Sequence, residues 1–407
     1  MSTIRFKREI SSRIADLVRQ FPALILTGAR QTGKTTLLRE LFPNHAYVTL
    51  DLPSAAELAE NDPQAFLANY PPPVLVDEAQ YAPKLFRHLK IAIDQNRSEP
   101  GRFILTGSQK FNLMKEVSDS LAGRCVWLEL EGLSLPELTQ AGIDSSALDV
   151  LARILTRGTQ PELWARPELS ATDYYRSYLA TYLERDVRQI LNIASLRDFE
   201  RFIRVCAARS GQLVNKSEIA KDVGVSAHTA NQWLSVLEAS NQIALLEPYF
   251  INTTKRIVKT PKLYFCEVGL LSFLLGLDEA NILQSPFVGA MWECYCFAEL
   301  RKVEKNRGLN SKLWFYRDNR AREVDFLVEH RNHLDFIEVK WTTQPDIAAA
   351  KAMEAVAADL FPAKSRYLIQ PGRRYVVCRS EVVYPLGSAA TATPLSGMLT
   401  ALGADRN

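Results

Sequence analysis

Along the first third of the chain, short uninterrupted apolar runs alternate with stretches whose apolar residues recur at helical spacing, the pattern of a parallel sheet covered by helices on both faces. Five strands are expected, at 23–27, 46–50, 74–76, 103–106 and 125–130, with helices at 34–41 and 83–94 among the connections. From about 136 to 209 the pattern turns to helix, and Tyr175, Tyr178, Leu179, Tyr182 and Leu183 fall on one apolar face. A small helical module followed by a hairpin is expected over 212–261. Strand-like runs return from 286 to 384, flanked by helices near 292–305 and 347–360. The last residues, 386–407, are small and polar enough for a loosely ordered tail, and no internal repeat is visible.

At 407 residues, 47% hydrophobic and 23% charged, the chain can bury several cores and should split into about two to four domains. A formal net charge of +3 is too weak to indicate nucleic-acid binding by itself, although a local basic patch could lie within it. The six cysteines, Cys125, Cys206, Cys266, Cys294, Cys296 and Cys378, lack the CxxC pairs and neighbouring histidines of a structural zinc site, so they are expected to be reduced and buried. No apolar stretch is long enough to cross a bilayer, and the expected location is cytoplasmic with no membrane partner.

Chemistry enters at Gly28-Ala29-Arg30-Gln31-Thr32-Gly33-Lys34-Thr35, with Thr36 next, which fits GxxxxGK[ST] between an apolar strand and a helix. Glycines let backbone N–H groups curl around phosphates, the helix N-terminus adds positive potential, Lys34 reaches the β- and γ-phosphates, and Thr35 would hold Mg²⁺. The expected cofactors are therefore ATP and Mg²⁺. Val74-Leu75-Val76-Asp77-Glu78 is an apolar strand ending in two acids at the edge where open α/β sheets bind ligands. Asp77 should contact Mg²⁺, and Glu78 should orient and polarise the attacking water. A strand at 103–106 inserted between these two would bring Thr106 or Ser108 beside the γ-phosphate.

In order along the chain, GARQTGKTT, LVDEAQ, LTGSQ and SLAGR resemble the AAA+ superfamily. More narrowly they resemble a prokaryotic group of ATPases that join such a domain to a C-terminal domain of uncharacterised function. YLATYLERDV at 178–187 and REVDF at 322–326 extend that resemblance over nearly the whole chain. It implies that Arg124, in the loop before the last strand, acts as a finger for a neighbouring subunit, so a homo-oligomer is expected, with a ring among the arrangements. Two places depart from the group: Arg157-Gly158-Thr159-Gln160-Pro161 replaces a tighter Gly-Gly-x-Pro turn, and Glu267 stands where Asp is expected.

Residues 216–238 fit a helix-turn-helix, with Ile219, Ala220, Val223, Val225, Ala230 and Trp233 at the spacing of two crossed helices and Gly224 at the turn. Segments 243–249 and 257–265 would form a wing. His228, Asn231 and Gln232 would face outward, yet 226–237 contains no Lys or Arg, which counts against groove binding unless Lys255, Arg256, Lys259 and Lys262 compensate from the wing. DNA contact and a structural or partner-binding role both stay open.

Asp325 and Glu338-Val339-Lys340 form D-x₁₂-E-x-K within apolar strands, and this resembles the PD-(D/E)xK nuclease fold. Carboxylates on adjacent strands would converge on Mg²⁺, Lys340 would lie on the same face to position a water, and Glu293 would be the third acid. The expectation is thus an α/β chain with five segments. They are a P-loop ATPase domain at 1–135, a helical lid at 136–210, a winged-helix-like module at 211–285, a nuclease-like domain at 286–386 and a flexible tail at 387–407. Its expected function is ATP hydrolysis coupled to work on DNA. The competing function is a regulatory ATPase switch that binds protein partners, with a defence or toxin-associated setting among the options.

Overall fold

The computed structural model describes residues 6–108, 120–183, 187, 196–249, 259–361, 369–387 and 390–404. Two compact units result: Met1–Leu133 with Gln160–Ala165 and Ala239–Asn241, and Ser134–Thr159 with Arg166–Glu238 and Gln242–Asn407.

In the first unit the strands are β1 (Ala23–Thr27), β2 (Ala46–Thr49), β3 (Val74–Asp77), β4 (Phe103–Gly107) and β5 (Cys125–Glu129), close to the expected spans. All pair in parallel, in the order β2-β3-β4-β1-β5, so β4 does separate the loop strand β1 from the acidic strand β3. Alternate residues feed opposite faces. Ala23, Ile25, Val74, Val76, Phe103 and Leu105 enter one core, while Leu24, Leu26, Leu75 and Ile104 enter the other with Ile14 and Leu38. Burial on both faces is why these strands read as continuous apolar runs.

In the second unit, Ser134 caps the helix Leu135–Gln140 in a reciprocal capping box with Glu137. The helix Ala171–Tyr182 buries Tyr174, Tyr175, Tyr178, Leu179 and Tyr182, the expected face. The helices Lys216–Val223 and Ala227–Ala239 meet at Gly224, whose φ of 86° closes the first one, and Trp233 packs edge-on against Phe199 and Phe202. Beyond them β6 (Ile243–Leu246) pairs antiparallel with β7 (Lys262–Phe265), while Lys255 and Arg256 lie outside the described residues.

Two sequence departures meet in this unit. Glu267 accepts hydrogen bonds from the Thr159 amide and the Thr159 hydroxyl, both at 2.8 Å, and Tyr175 donates to the Arg157 carbonyl at 2.9 Å. A Cβ at Gly158, whose φ is 74°, would lie 2.0 Å from Glu267 Oε1, so the turn and the glutamate fit each other.

The C-terminal sheet comprises β8 (Lys312–Arg317), β9 (Glu323–His330), β10 (His333–Val339), β11 (Gln370–Val377), β12 (Tyr384–Leu386) and β13 (Ala390–Thr393), in the order β12-β13-β11-β10-β9-β8. The long helix Val288–Arg307 is buried along most of its length, and its Glu299 accepts from the Leu135 amide at 2.7 Å and from Lys302 at 2.8 Å. The bonds of Thr159 to Glu267 and of Tyr264 to Glu293 tie the segments expected separately at 136–210, 211–285 and 286–386 within one compact unit. The expectation of a flexible tail is corrected as well. β13 extends the sheet beside β11, and the helix Leu395–Ala404 buries Leu395, Met398, Leu399 and Leu402. No described helix is long and apolar enough to cross a membrane.

Candidate active site and a second acidic cluster

The loop after β1 reverses direction through Gly28 and Gly33, the latter with φ 89° at the start of the helix Lys34–Leu41. A side chain at Gly28 has no room, since a Cβ would come within 2.0 Å of the Leu130 carbonyl oxygen. Between them Gln31 is exposed with φ 65°, and Thr32 donates back to the Ala29 carbonyl at 3.0 Å. Arg30 is partly buried in the loop, and Thr36 is exposed on the following helix. Lys34 is 6% exposed, and its ammonium donates to the Gly28 and Ala29 carbonyls at 3.0 and 2.9 Å.

Thr35 Oγ1 donates to both carboxylate oxygens of Asp77, at 2.9 and 3.0 Å, across the strand edge. Thr106 also donates to Asp77, as does Tyr47 at 3.2 Å, and burial followed by the Asp77 charge raises the Tyr47 pKa. Glu78 sits at φ 55° and accepts from Gln80 and, at 3.2 Å, from Ser108. Thr106 therefore bonds to Asp77 and Ser108 to Glu78.

Three contributors went unnoticed in the sequence. Gln80 stands two residues after Glu78 inside LVDEAQ, and Tyr47 is an exposed residue of β2. Arg8 carries no local signal. Its buried guanidinium donates to the carbonyls of Thr32 at 2.8 Å, Glu131 at 2.7 Å and Gly132 at 3.1 Å, fastening the loop to the segment after β5. Arg124 precedes β5 at the edge of the parallel sheet opposite the loop, and it pairs with Asp94 at 2.7 and 2.9 Å.

In the second unit, β9 and β10 run antiparallel, and Asp325 Oδ2 accepts from the Val339 amide at 2.8 Å. Glu338 pairs with Lys340 at 2.6 Å, and Glu293 on the long helix accepts from the Tyr264 hydroxyl. Into this group β7 sends Lys262, whose ammonium pairs with Glu323 and lies 3.4 Å from Glu293 and 4.0 Å from Asp325. Lys262 is 2% exposed and so cannot serve as a phosphate contact from a wing, which corrects that expectation.

Burial first, and the Asp325 charge second, push both Glu293 and Glu338 up to about 7. Burial also raises Asp325. Burial alone would lower Lys262, but Glu293, Asp325 and Glu323 outweigh it and hold the ammonium protonated. Among the described residues no three His, Cys, Asp or Glu side chains are arranged to hold a metal ion. The expected metal set of Glu293, Asp325 and Glu338 is not among such arrangements, and the Lys262 ammonium stands beside Glu293 and Asp325.

Over 396 residues the chain is 30% identical to uncharacterized protein Rv2008c of Mycobacterium tuberculosis (strain ATCC 25618 / H37Rv), with 97% of this chain and 85% of that protein aligned. Uncharacterized protein Mb2031c of Mycobacterium bovis matches to the same extent. The chain belongs to the family of these mycobacterial proteins. Within this family member, residues 20–139 match the family described as AAA domain, so the first unit carries an AAA-type P-loop ATPase domain. Residues 148–281 and 288–398 match two domains of unknown function, DUF8612 and DUF4143. Among solved structures, the Walker-type ATPase PABY2304 of Pyrococcus abyssi aligns over 67% of this chain and 96% of its own at 14% identity and a TM-score of 0.45. A Thermotoga maritima RuvB variant aligns over 59% and 89% at 18% identity and 0.31. Neither likeness is close enough to carry an argument about function.

For a member of this family with an AAA domain, ATP and Mg²⁺ are the implied ligands, and the loop fits them. Its glycines leave the backbone bare, Lys34 donates to the Gly28 and Ala29 carbonyls, which a phosphate can displace, and the Thr35 hydroxyl meets the Asp77 carboxylate where Mg²⁺ would be held. The acidic cluster does not fit a divalent ion in the same way, because its carboxylates already surround Lys262.

Proposed function

We propose that this chain is a Mg²⁺-dependent ATPase that works as a homo-oligomer and couples turnover to DNA. DNA would be engaged by a winged-helix-like module at 211–285 and a nuclease-like C-terminal domain. The observation that carries the hydrolytic reading is the pairing of Thr35 with Asp77 beside a Glu78 held by Gln80 and Ser108. Lys34 would exchange its carbonyl partners for the β- and γ-phosphates, and Thr35 and Asp77 would hold Mg²⁺, which supplies neutralising charge to the phosphate oxygens. Glu78 would orient the attacking water, and Ser108 would sense the γ-phosphate through that carboxylate. Arg124 would reach the nucleotide of a neighbouring copy, so mixing Arg124→Ala with Lys34→Ala subunits should restore partial hydrolysis. A persistently inactive mixture of folded proteins would remove Arg124 from this role.

Support for DNA comes from the exposed His228, Asn231 and Gln232 on one face of the helix Ala227–Ala239, with Lys216 donating to Asn231 at 2.5 Å. A second reading, a regulatory switch with protein partners, is favoured by the absence of Lys and Arg from that helix and by the burial of Lys262. ATPase rates with and without single-stranded, duplex and branched DNA separate the two. Stimulation by any of them supports DNA work, and an unchanged rate with all three leaves the switch.

A further inference from the structure

We propose that Lys262 is the resident cation of the C-terminal acidic cluster and keeps divalent metal ions out of it. The inference draws on the nuclease-like reading only for the choice of divalent ions as the probe.

The cluster holds Glu293, Glu323, Asp325 and Glu338 against the ammonium groups of Lys262 and Lys340 and the Arg317 guanidinium, which pairs with Glu323 at 3.0 Å. The two lysines differ in place. Lys340, the lysine of the D-x₁₂-E-x-K pattern, keeps 44% of its side chain exposed and touches only Glu338 at the margin. Lys262 keeps 3%, and its ammonium stands among the other three carboxylates. A divalent ion would need the same oxygens at about 2.0–2.6 Å. It would then share a poorly solvated space with a positive charge only a few ångströms away, which repels it.

The plug is also anchored. Lys262 opposes Leu246 in the β6–β7 ladder, and its ammonium lies 5.6 Å from the centre of the Phe315 ring. Residues two apart on a strand share a face. Tyr264 is such a neighbour of Lys262 on β7, and both contact Glu293, the lysine through its ammonium and the tyrosine through its hydroxyl. Strand β7 thus presents a cation and a hydrogen-bond donor together to an acid on the long helix. Removing the ammonium should leave Glu293 and Asp325 without their ion-pair partner while Arg317 stays with Glu323 and Lys340 with Glu338, and a small divalent cation can then bridge the two bared carboxylates.

The test is Mn²⁺ alone, titrated into the full chain without nucleotide and followed by the loss of the free-ion electron paramagnetic resonance signal. Lys262→Met should gain one Mn²⁺ site per chain, at least tenfold tighter than any wild-type site, and Lys262→Met/Asp325→Asn should lose it again. Circular dichroism and melting curves establish that each variant is folded. A folded Lys262→Met protein with no added site overturns the proposal. Should Lys262→Met not fold, Asp325→Asn in the otherwise wild-type chain decides, since the amide can still accept from the Val339 amide. Unchanged Mn²⁺ binding supports the plug, and a lost site would show metal and Lys262 coexisting and overturn it. DNA-stimulated ATP hydrolysis is read separately, so either result leaves the reading of the first unit untouched.

Discussion

Lys34 and Lys262 are both buried lysines beside acidic strand ends, yet their surroundings commit them to opposite uses. The Lys34 ammonium rests on two neutral carbonyls of its own loop, with the carboxylates of Asp77 and Glu78 occupied by Thr35, Thr106, Tyr47, Gln80 and Ser108. A polyphosphate offers far stronger charge-assisted partners than a carbonyl, so Lys34 can be recruited. Lys262 has three carboxylates around it, and leaving them would strand both charge types away from water. A lysine resting on loop carbonyls can be drawn to a stronger anion, whereas one among carboxylates is already ion-paired.

The largest expected effect comes from breaking the first half of this contrast. Lys34→Ala should lower ATP turnover by more than about 100-fold, because the phosphates lose their charged donor. Glu78→Gln should lower it by a similar factor while nucleotide binding persists, as phosphate release and a fluorescent-nucleotide titration would show. Near wild-type turnover in either variant would remove the hydrolytic assignment of the loop.

Next comes the second half. Asp325→Ala deprives the Val339 amide of its acceptor and takes one carboxylate from Lys262, a cost of about 3–5 kcal/mol for breaking a buried charge network. Hydrogen exchange at β9 and β10 is the suitable measurement, since a chain of two units need not unfold in one step. Unaltered protection there would mean that the cluster contributes little to holding the strands.

How much of this contrast was legible along the chain differs between its halves. The P-loop, the acidic strand end and the strands of the first sheet are contiguous signals, and two-sided burial writes each strand as an unbroken apolar run. The pattern D-x₁₂-E-x-K did locate Asp325 and Glu338 on adjacent strands, with Lys340 just past the end of the second. It could not reveal Lys262, which reaches the cluster from β7 and stands in the sequence among Lys255, Arg256 and Lys259, as if it were a surface cation. The fit of Gly158 to Glu267 was equally hidden, although both positions stood out as departures. The tail was misjudged on composition, while Leu395, Met398, Leu399 and Leu402 already carried helical spacing.

A smaller effect sharpens the picture of Lys34 as a recruitable group. Arg8→Ala removes the bonds that fasten the Thr32 carbonyl to the segment after β5, while leaving every side chain expected to meet the nucleotide in place. A charged donor to backbone carbonyls contributes about 1.5–3 kcal/mol. Nucleotide affinity should fall by about tenfold with little change in the turnover of the saturated enzyme, as a KM-against-kcat comparison would show. A change confined to kcat would mean that Arg8 acts on the chemical step instead.

The smallest effect concerns the charge left over once Lys262 and Lys340 have been counted. Glu293 faces Lys262, Tyr264, Glu323 and Asp325, while Glu338 faces Lys340 and Asp325, and both carboxyls are raised to about 7 by burial and by Asp325. Raised values mean that, between the ordinary glutamate range and about 7, the folded chain binds more protons than the unfolded one. Stability from these groups is therefore fully present at low pH, falls as pH rises through that window, and is lost above it. The two lysines are shifted upward from an already high range, so their own losses lie at much higher pH and do not blur the window. Between about pH 5 and pH 8 the protection of β9 and β10 should decline in the wild type. Glu338→Gln cannot ionise, and its decline should be shallower. Parallel curves for the two proteins would show that Lys340 alone neutralises Glu338, and the excess negative charge assigned to the cluster would have to be withdrawn.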